Sequence, residues 1–245
     1  MILRAALTGL AALVLSVASG PAQTQRMPLP SVGPGTANPS AVVAAELGLA
    51  RLAREEGQWT ALRKEAEKDA VIFAPGPVNA PDWLKQQADP AEPMRWSPSQ
   101  VFIACDGSYA AATGALQHED GRAGRFVTIW REQRKGDFKW VMIFTSDAPF
   151  AGSEDGMIKA SVADCVRRRG LGDPGSHEDR RRDRRNRDVV RLPDPPPASG
   201  SAQSADGSLR WTWRAQDNVR TLEVFLRRAD GEERVIHETA PMTAS

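Results

Sequence analysis

The strongest constraint on the fold is a tandem of hairpin signatures in the middle of the chain. Residues 99–104 and 108–116 flank Asp106-Gly107, and Asp-Gly between two strand-like runs is a two-residue turn signal. Residues 125–132 and 138–145 flank Arg134-Lys135-Gly136-Asp137, a second hairpin. Strands joined this closely pair antiparallel, because a parallel pair needs a crossover of a dozen residues or more.

What precedes the hairpins is helical. Residues 41–56 are good helix formers, with Ser40 placed as N-cap and Gly57 as C-cap. Val43, Leu47 and Ala50 form its apolar stripe, with Leu49, Leu52 and Ala53 beside it. A second helix is expected over 58–68, with Trp59, Leu62 and Ala66 at helical spacing. Residues 70–74 read as a short strand stopped by Pro75-Gly76-Pro77. Asn79 then caps a third helix with Pro81 in its first turn, turning Trp83 and Leu84 inward. Helix, helix, strand, short helix and antiparallel strands define an α+β fold, with the helices on one face of a curled sheet.

The ends read differently. Residues 1–22 have the order of a secretory signal peptide: Arg4, a thirteen-residue apolar run over 5–17, then small residues before Gln23. The alternatives are an uncleaved anchor or a buried core helix. Residues 23–39, with four Pro, are a flexible leader. The folded domain is expected over 40–148 and a disordered Arg- and Pro-rich linker over 149–207. Between Arg167 and Arg191 ten Arg face five Asp or Glu, which reads as a solvated charge run. A nucleic-acid partner is not expected: the acidic residues halve that charge, and 26 Arg against 6 Lys makes Arg enrichment general to the chain. Residues 208–240 are ordered again. Leu209, Trp211 and Trp213 alternate with polar residues, as do Leu222, Val224 and Leu226, and Asp230-Gly231 turns into a third strand. Three strands are marginal alone, so this segment is expected to dock on the first domain. No internal repeat is visible.

With 41% hydrophobic and 26% charged residues and a net charge of +1, the chain is not a collagen, a coiled-coil rod or wholly disordered. No apolar run approaches the roughly 18 residues of a membrane span, so no stable insertion is expected after signal cleavage. Export places the protein in the periplasm or outside the cell, an oxidising setting. The two cysteines, Cys105 and Cys165, permit one disulfide, closing a loop of about sixty residues and worth about 4 kcal/mol in the chain-entropy account. Two unpaired thiols, with Cys105 as a small strand hydrophobe, are the alternative. No metal is expected, because His118, His177 and His237 lie far apart without ligand spacing. His118 is placed at the surface. No phosphate loop, nucleophile elbow or zinc-helix motif is present, and no cofactor is called for.

From about 40 to 147 the sequence resembles the nuclear transport factor 2-like superfamily, nearest the secreted SnoaL-like or ketosteroid-isomerase-like bacterial proteins of unassigned function. The resemblance is carried by Leu52-Ala-Arg-Glu-Glu-Gly-Gln-Trp-Thr60, Asp69-Ala-Val-Ile-Phe-Ala-Pro75, Val78-Asn79, Trp83-Leu84, Trp96, Cys105-Asp-Gly-Ser108, Thr113-Gly114, Thr128-Ile-Trp-Arg131 and Phe138-Lys-Trp-Val141. It implies a cone: three N-terminal helices against a strongly curved mixed sheet, enclosing a pocket, with homodimerisation through the outer sheet face. Activity does not follow from fold. The resemblance also implies a carboxylate base just before a Pro at the end of the first strand, and here that residue is Ala74. No catalytic residue is therefore assigned. A pocket lined by Trp59, Phe73, Trp83, Tyr109, Trp130 and Trp140 is the candidate site, against the alternative that these rings fill the core. The sequence reading is a non-catalytic protein that binds a small apolar molecule or a protein partner. The alternative is an isomerase, cyclase or hydratase with a base not yet located.

Overall fold

A computed structural model describes residues 37–133, 136–150, 156–165 and 197–242. The signal peptide, most of the leader and the Arg-rich run lie outside these residues. Helix α1 spans Pro39–Glu56. Its N-cap is Asn38 rather than Ser40: the Asn38 side chain accepts from the Ala41 N–H at 3.3 Å, and Pro39 takes the first turn, where its missing N–H costs nothing. Gly57 ends the helix at φ +105°, and a Cβ there would run into the Asp89 carboxylate. Helix α2, Gln58–Glu65, has no local side-chain cap. Asp89 supplies one from a distance, accepting from the N–H groups of Trp59 at 2.6 Å and Thr60 at 3.1 Å and from the Thr60 hydroxyl at 2.6 Å. Burial pushes the Asp89 carboxyl up, but these donors and the Arg63 charge outweigh it and hold the group below its ordinary range.

Strand β1, Ala66–Phe73, begins where the second helix was expected to continue. Strand β2, Pro77–Asn79, and helix α3, Ala80–Leu84, follow; the Asn79 side chain accepts from the Asp82 N–H at 3.1 Å as expected. Strands β3 (Arg95–Ile103), β4 (Tyr109–Gln117), β5 (Ala123–Glu132) and β6 (Phe138–Ser146) form the anticipated hairpins. Strand β7, Lys159–Val162, completes a seven-stranded sheet of order β2-β1-β6-β5-β4-β3-β7. The sheet is mixed, because β1 runs parallel to β6 and β7 parallel to β3.

A second sheet, order β11-β10-β9-β8, is made of β8 (Ser199–Gln203), β9 (Leu209–Gln216), β10 (Val219–Arg228) and β11 (Gly231–Pro241). The segment over 208–240 supplies three strands as expected; the fourth strand of its sheet, β8, and strand β7 both lie in the stretch read as linker. Both were missed for one reason. Lys159-Ala-Ser-Val162 and Ser199-Gly-Ser-Ala-Gln203 are short edge strands of small or polar residues, and they owe their form to the pairing offered by β3 and β9.

The seven-stranded sheet is buried on both faces. Along β4, Ala110 and Ala112 face the helices while Ala111 faces the second sheet. Along β5, Trp130 points to the helices and Val127 and Ile129 point away. Val42, Leu49, Ala53 and Leu62 cover the first face; Leu209, Trp211, Trp213, Leu222, Val224 and Leu226 cover the second. The C-terminal segment therefore docks as expected. The outer face, expected to be free for a homodimer contact, carries the chain's own second sheet.

Two bulges set which side chains reach the helices. The β5–β6 pairing passes from Ile129↔Met142 to Trp130↔Trp140, leaving Val141 as an extra residue. Trp140 consequently faces the helices although Met142, two residues on, does not. In β3 the pairing passes from Pro98↔Gly114 to Gln100↔Thr113, with Ser99 extra. That puts Trp96 on the same side as Val101 and Ile103. Gly114 is required under this bulge, where a Cβ would overlap the Ser97 carbonyl oxygen.

A repeat also emerges that the sequence did not disclose. The turns Ala104-Cys-Asp-Gly-Ser-Tyr109 and Ser204-Ala-Asp-Gly-Ser-Leu209 make the same bonds. The N–H of 104 donates to the carbonyl of 109 at 2.9 Å and that of 204 to 209 at 2.8 Å; the N–H of 107 donates to 104 at 3.0 Å and that of 207 to 204 at 2.9 Å. Gly107 and Gly207 stand at φ 75° and 67°, the left-handed region this turn needs. Only Asp-Gly-Ser is common to both, too short to register as a repeat.

Candidate functional site

The six rings proposed from sequence do not gather in one place. Trp130 and Trp140 are buried in the helix-facing core, and the Trp140 indole donates to the Leu62 carbonyl at 2.9 Å. Trp59 and Trp83 pack on the same core but are half-buried, edge to face at 5.5 Å. Phe73 and Tyr109 belong to the other face. Phe73 meets Phe144 and Trp213, each edge to face at 5.7 Å. Tyr109 lies beside Arg131, whose guanidinium grips the buried Glu67. Strand side chains alternate between the two faces, the bulge at Val141 turns Trp140 to the helices, and Trp59 and Trp83 come from the helices themselves, so the rings divide between two cores. His118 is half-buried beside Asp147 rather than exposed. Among the described residues no three His, Cys, Asp or Glu side chains gather as metal ligands, and no helix is long and apolar enough to cross a membrane. Cys105 and Cys165 are joined in a disulfide with Cα atoms 5.3 Å apart.

The residue that sequence reading missed is Glu46. It lies midway along α1 and is 0% exposed. Its Oε1 accepts from the Trp96 indole at 2.8 Å and from the Thr128 hydroxyl at 3.4 Å; its Oε2 accepts from the Trp130 indole at 2.8 Å. The donors come from β3 and β5, so one carboxyl ties the helix to the two strands that flank β4. Burial raises its pKa from 4.5 to about 7, against the lowering effect of Trp130, Trp96 and Thr128. No cation pairs with it among the described residues. A carboxyl in that range holds or releases a proton near neutrality, which is what general acid–base chemistry requires. With two donors on Oε1 and one on Oε2, the acceptor position left open lies on Oε2.

A signal for Glu46 was present. The buried stripe of α1 is Val42, Glu46, Leu49, Ala50 and Ala53, rotated from the expected one, and Leu47 is 45% exposed. At i, i+4, i+7, i+8 and i+11 the only charged member of that stripe is Glu46.

No family model matches the sequence, and no curated protein matches it. The fold is similar to a candidate ketosteroid isomerase from Parabacteroides distasonis, at 16% identity and TM-score 0.35, over 46% of this chain and 94% of that one. It is also similar to a candidate aromatic ring hydroxylase from Novosphingobium aromaticivorans, at 17% identity and TM-score 0.33, over 47% of this chain and 93% of that one.

Proposed function

We propose that this is an exported protein of the nuclear transport factor 2-like class. In this reading helices and curved sheet form a cone, and its interior performs proton transfer on a small apolar molecule, with Glu46 as acid and base. One observation carries the reading: a carboxyl at full burial, held by neutral donors and poised near pH 7. The base expected before Pro75 is replaced by one from α1. Trp130 and Thr128 fix the carboxyl from the buried side. Trp96, which holds Oε1, is the half-buried member of the three donors.

Reading the domain as a binding scaffold without chemistry has its own support, since the carboxyl already accepts three bonds from its own chain. A carbon-acid probe separates the two. Ring opening of 5-nitrobenzisoxazole needs only removal of one C–H proton. The wild type is expected to accelerate it with a rate that climbs through about pH 7, and Glu46→Gln, checked for fold by circular dichroism, to lose at least tenfold. Equal rates in both proteins would leave the scaffold reading, and native mass measurement of protein from its own compartment would then show what it carries.

A further inference from the structure

We propose that the Cys105–Cys165 disulfide is a thiol-accessible latch that pins the end of β7 to the β3–β4 turn, where both segments meet the second sheet. The proposal is independent of Glu46. Cys105 sits in the β3–β4 turn and Cys165 three residues beyond β7. Both sides of the bond are gripped by the C-terminal sheet. On the Cys105 side the twin turns interlock: the Cys105 N–H donates to the Ser208 hydroxyl at 2.8 Å, the Asp206 N–H to the Asp106 carboxylate at 2.8 Å, and the Ala205 N–H to the Ser108 hydroxyl at 3.2 Å. On the Cys165 side the Asp164 N–H donates to the Arg227 carbonyl at 3.0 Å, and the Arg228 guanidinium to the Val162 carbonyl at 3.1 Å. Ala163, 3% exposed, belongs to the apolar core between the sheets.

Strand β7 meets the sheet only along one edge of β3, over four residue pairs. The covalent bond therefore adds a tether just past the end of this short edge strand, in a segment that also contacts the C-terminal sheet. Cys165 is exposed while Cys105 is half-buried, so an incoming thiolate meets the Cys165 sulfur first. An external dithiol attacks Cys165 Sγ; the S–S bond breaks and its electron pair leaves on Cys105 Sγ, which takes a proton. The second thiol of the reductant then displaces Cys165, leaving two thiols on the chain and a disulfide in the reductant. Cut this way, β7 loses its tether, Ala163 leaves the core, and the interlocked turns keep only their hydrogen bonds.

Hydrogen exchange of the full chain, oxidised and after dithiothreitol with the thiols counted by alkylation, tests this. Reduction is expected to speed exchange at least tenfold at the amides of Cys105, Asp164, Ala205 and Asp206, while those of Thr128 and Trp130 in β5 keep their rates. The Cys105→Ser, Cys165→Ser double variant is expected to match the reduced protein. Two alkylated thiols with unchanged exchange at those four amides would overturn the latch. So would a bond that yields to dithiothreitol only once the whole chain unfolds; the reduction arm stands whether or not the double variant folds.

Discussion

Raising the pH from about 4.5 to about 7.5 is expected to remove about 3 kcal/mol of stability from the wild type, and Glu46→Gln to abolish most of that slope. A carboxyl near 4.5 when unfolded and near 7 when folded binds more protons in the native state throughout this window. Stability then falls as pH rises. The contribution is fully present below about 4.5, declines through the interval and is gone above the folded value. At about 1.4 kcal/mol per pH unit, the shift corresponds to about 3 kcal/mol. Groups held below their ordinary range, Asp89 and Asp206 among them, act in the opposite sense but at lower pH, where acid weakens the protein. Urea unfolding of the oxidised protein at a series of pH values reads the slope directly. Glu46→Gln keeps one oxygen to accept an indole and presents an amide N–H₂ to another donor, so it should begin less stable at low pH and overtake the wild type as pH rises. Parallel curves would mean that Glu46 titrates as it does in water and that the site has no poised proton.

The parts of the fold that were legible in sequence are those whose signal is local. Asp106-Gly107 declared its hairpin because the turn needs a left-handed glycine, and Asn79 declared α3 because the cap lies three residues from its target. Leu209, Trp211 and Trp213 declared β9 by alternation. The features that could not be read depend on partners far along the chain. Strand β7 exists because β3 offers it an edge. The cap of α2 is Asp89, about thirty residues away, and nothing near Gln58 points to it. Phe73 and Trp130 looked equivalent as rings, but their parity on β1 and β5 decides which face each serves. Glu46 lies between the two cases. Its helix was plain, yet the face could not be fixed while Leu47 and Leu49 competed for the stripe. The sheet residues settled it, because two indole N–H groups on the helix-facing side needed an acceptor.

Ending the chain at Pro197 is expected to give a protein that does not hold a native monomeric fold, the largest effect of any change considered. The lost strands bury Leu209, Trp211, Trp213, Leu222, Val224 and Leu226 against the seven-stranded sheet. At about 1.5–3 kcal/mol for each large apolar side chain, their removal costs on the order of 10 kcal/mol, comparable with the whole stability of an ordinary domain. Their partners fare no better: Phe73, Val127, Ile129, Met142 and Phe144 would face water as one apolar surface. Arg220 would be lost too, and with it the guanidinium lying 5.2 Å from the Phe73 ring and 5.1 Å from Phe144 while it donates to the Thr145 carbonyl. Loss of near-ultraviolet dichroism, dye binding and elution as large species would follow. A truncated protein that elutes as a monomer and melts within a few degrees of the full chain would mean that the helices alone stabilise the sheet. The continuous burial along the central strands argues against that outcome, since β4 and β5 bury residues at successive positions, a pattern stable only with cover on each side.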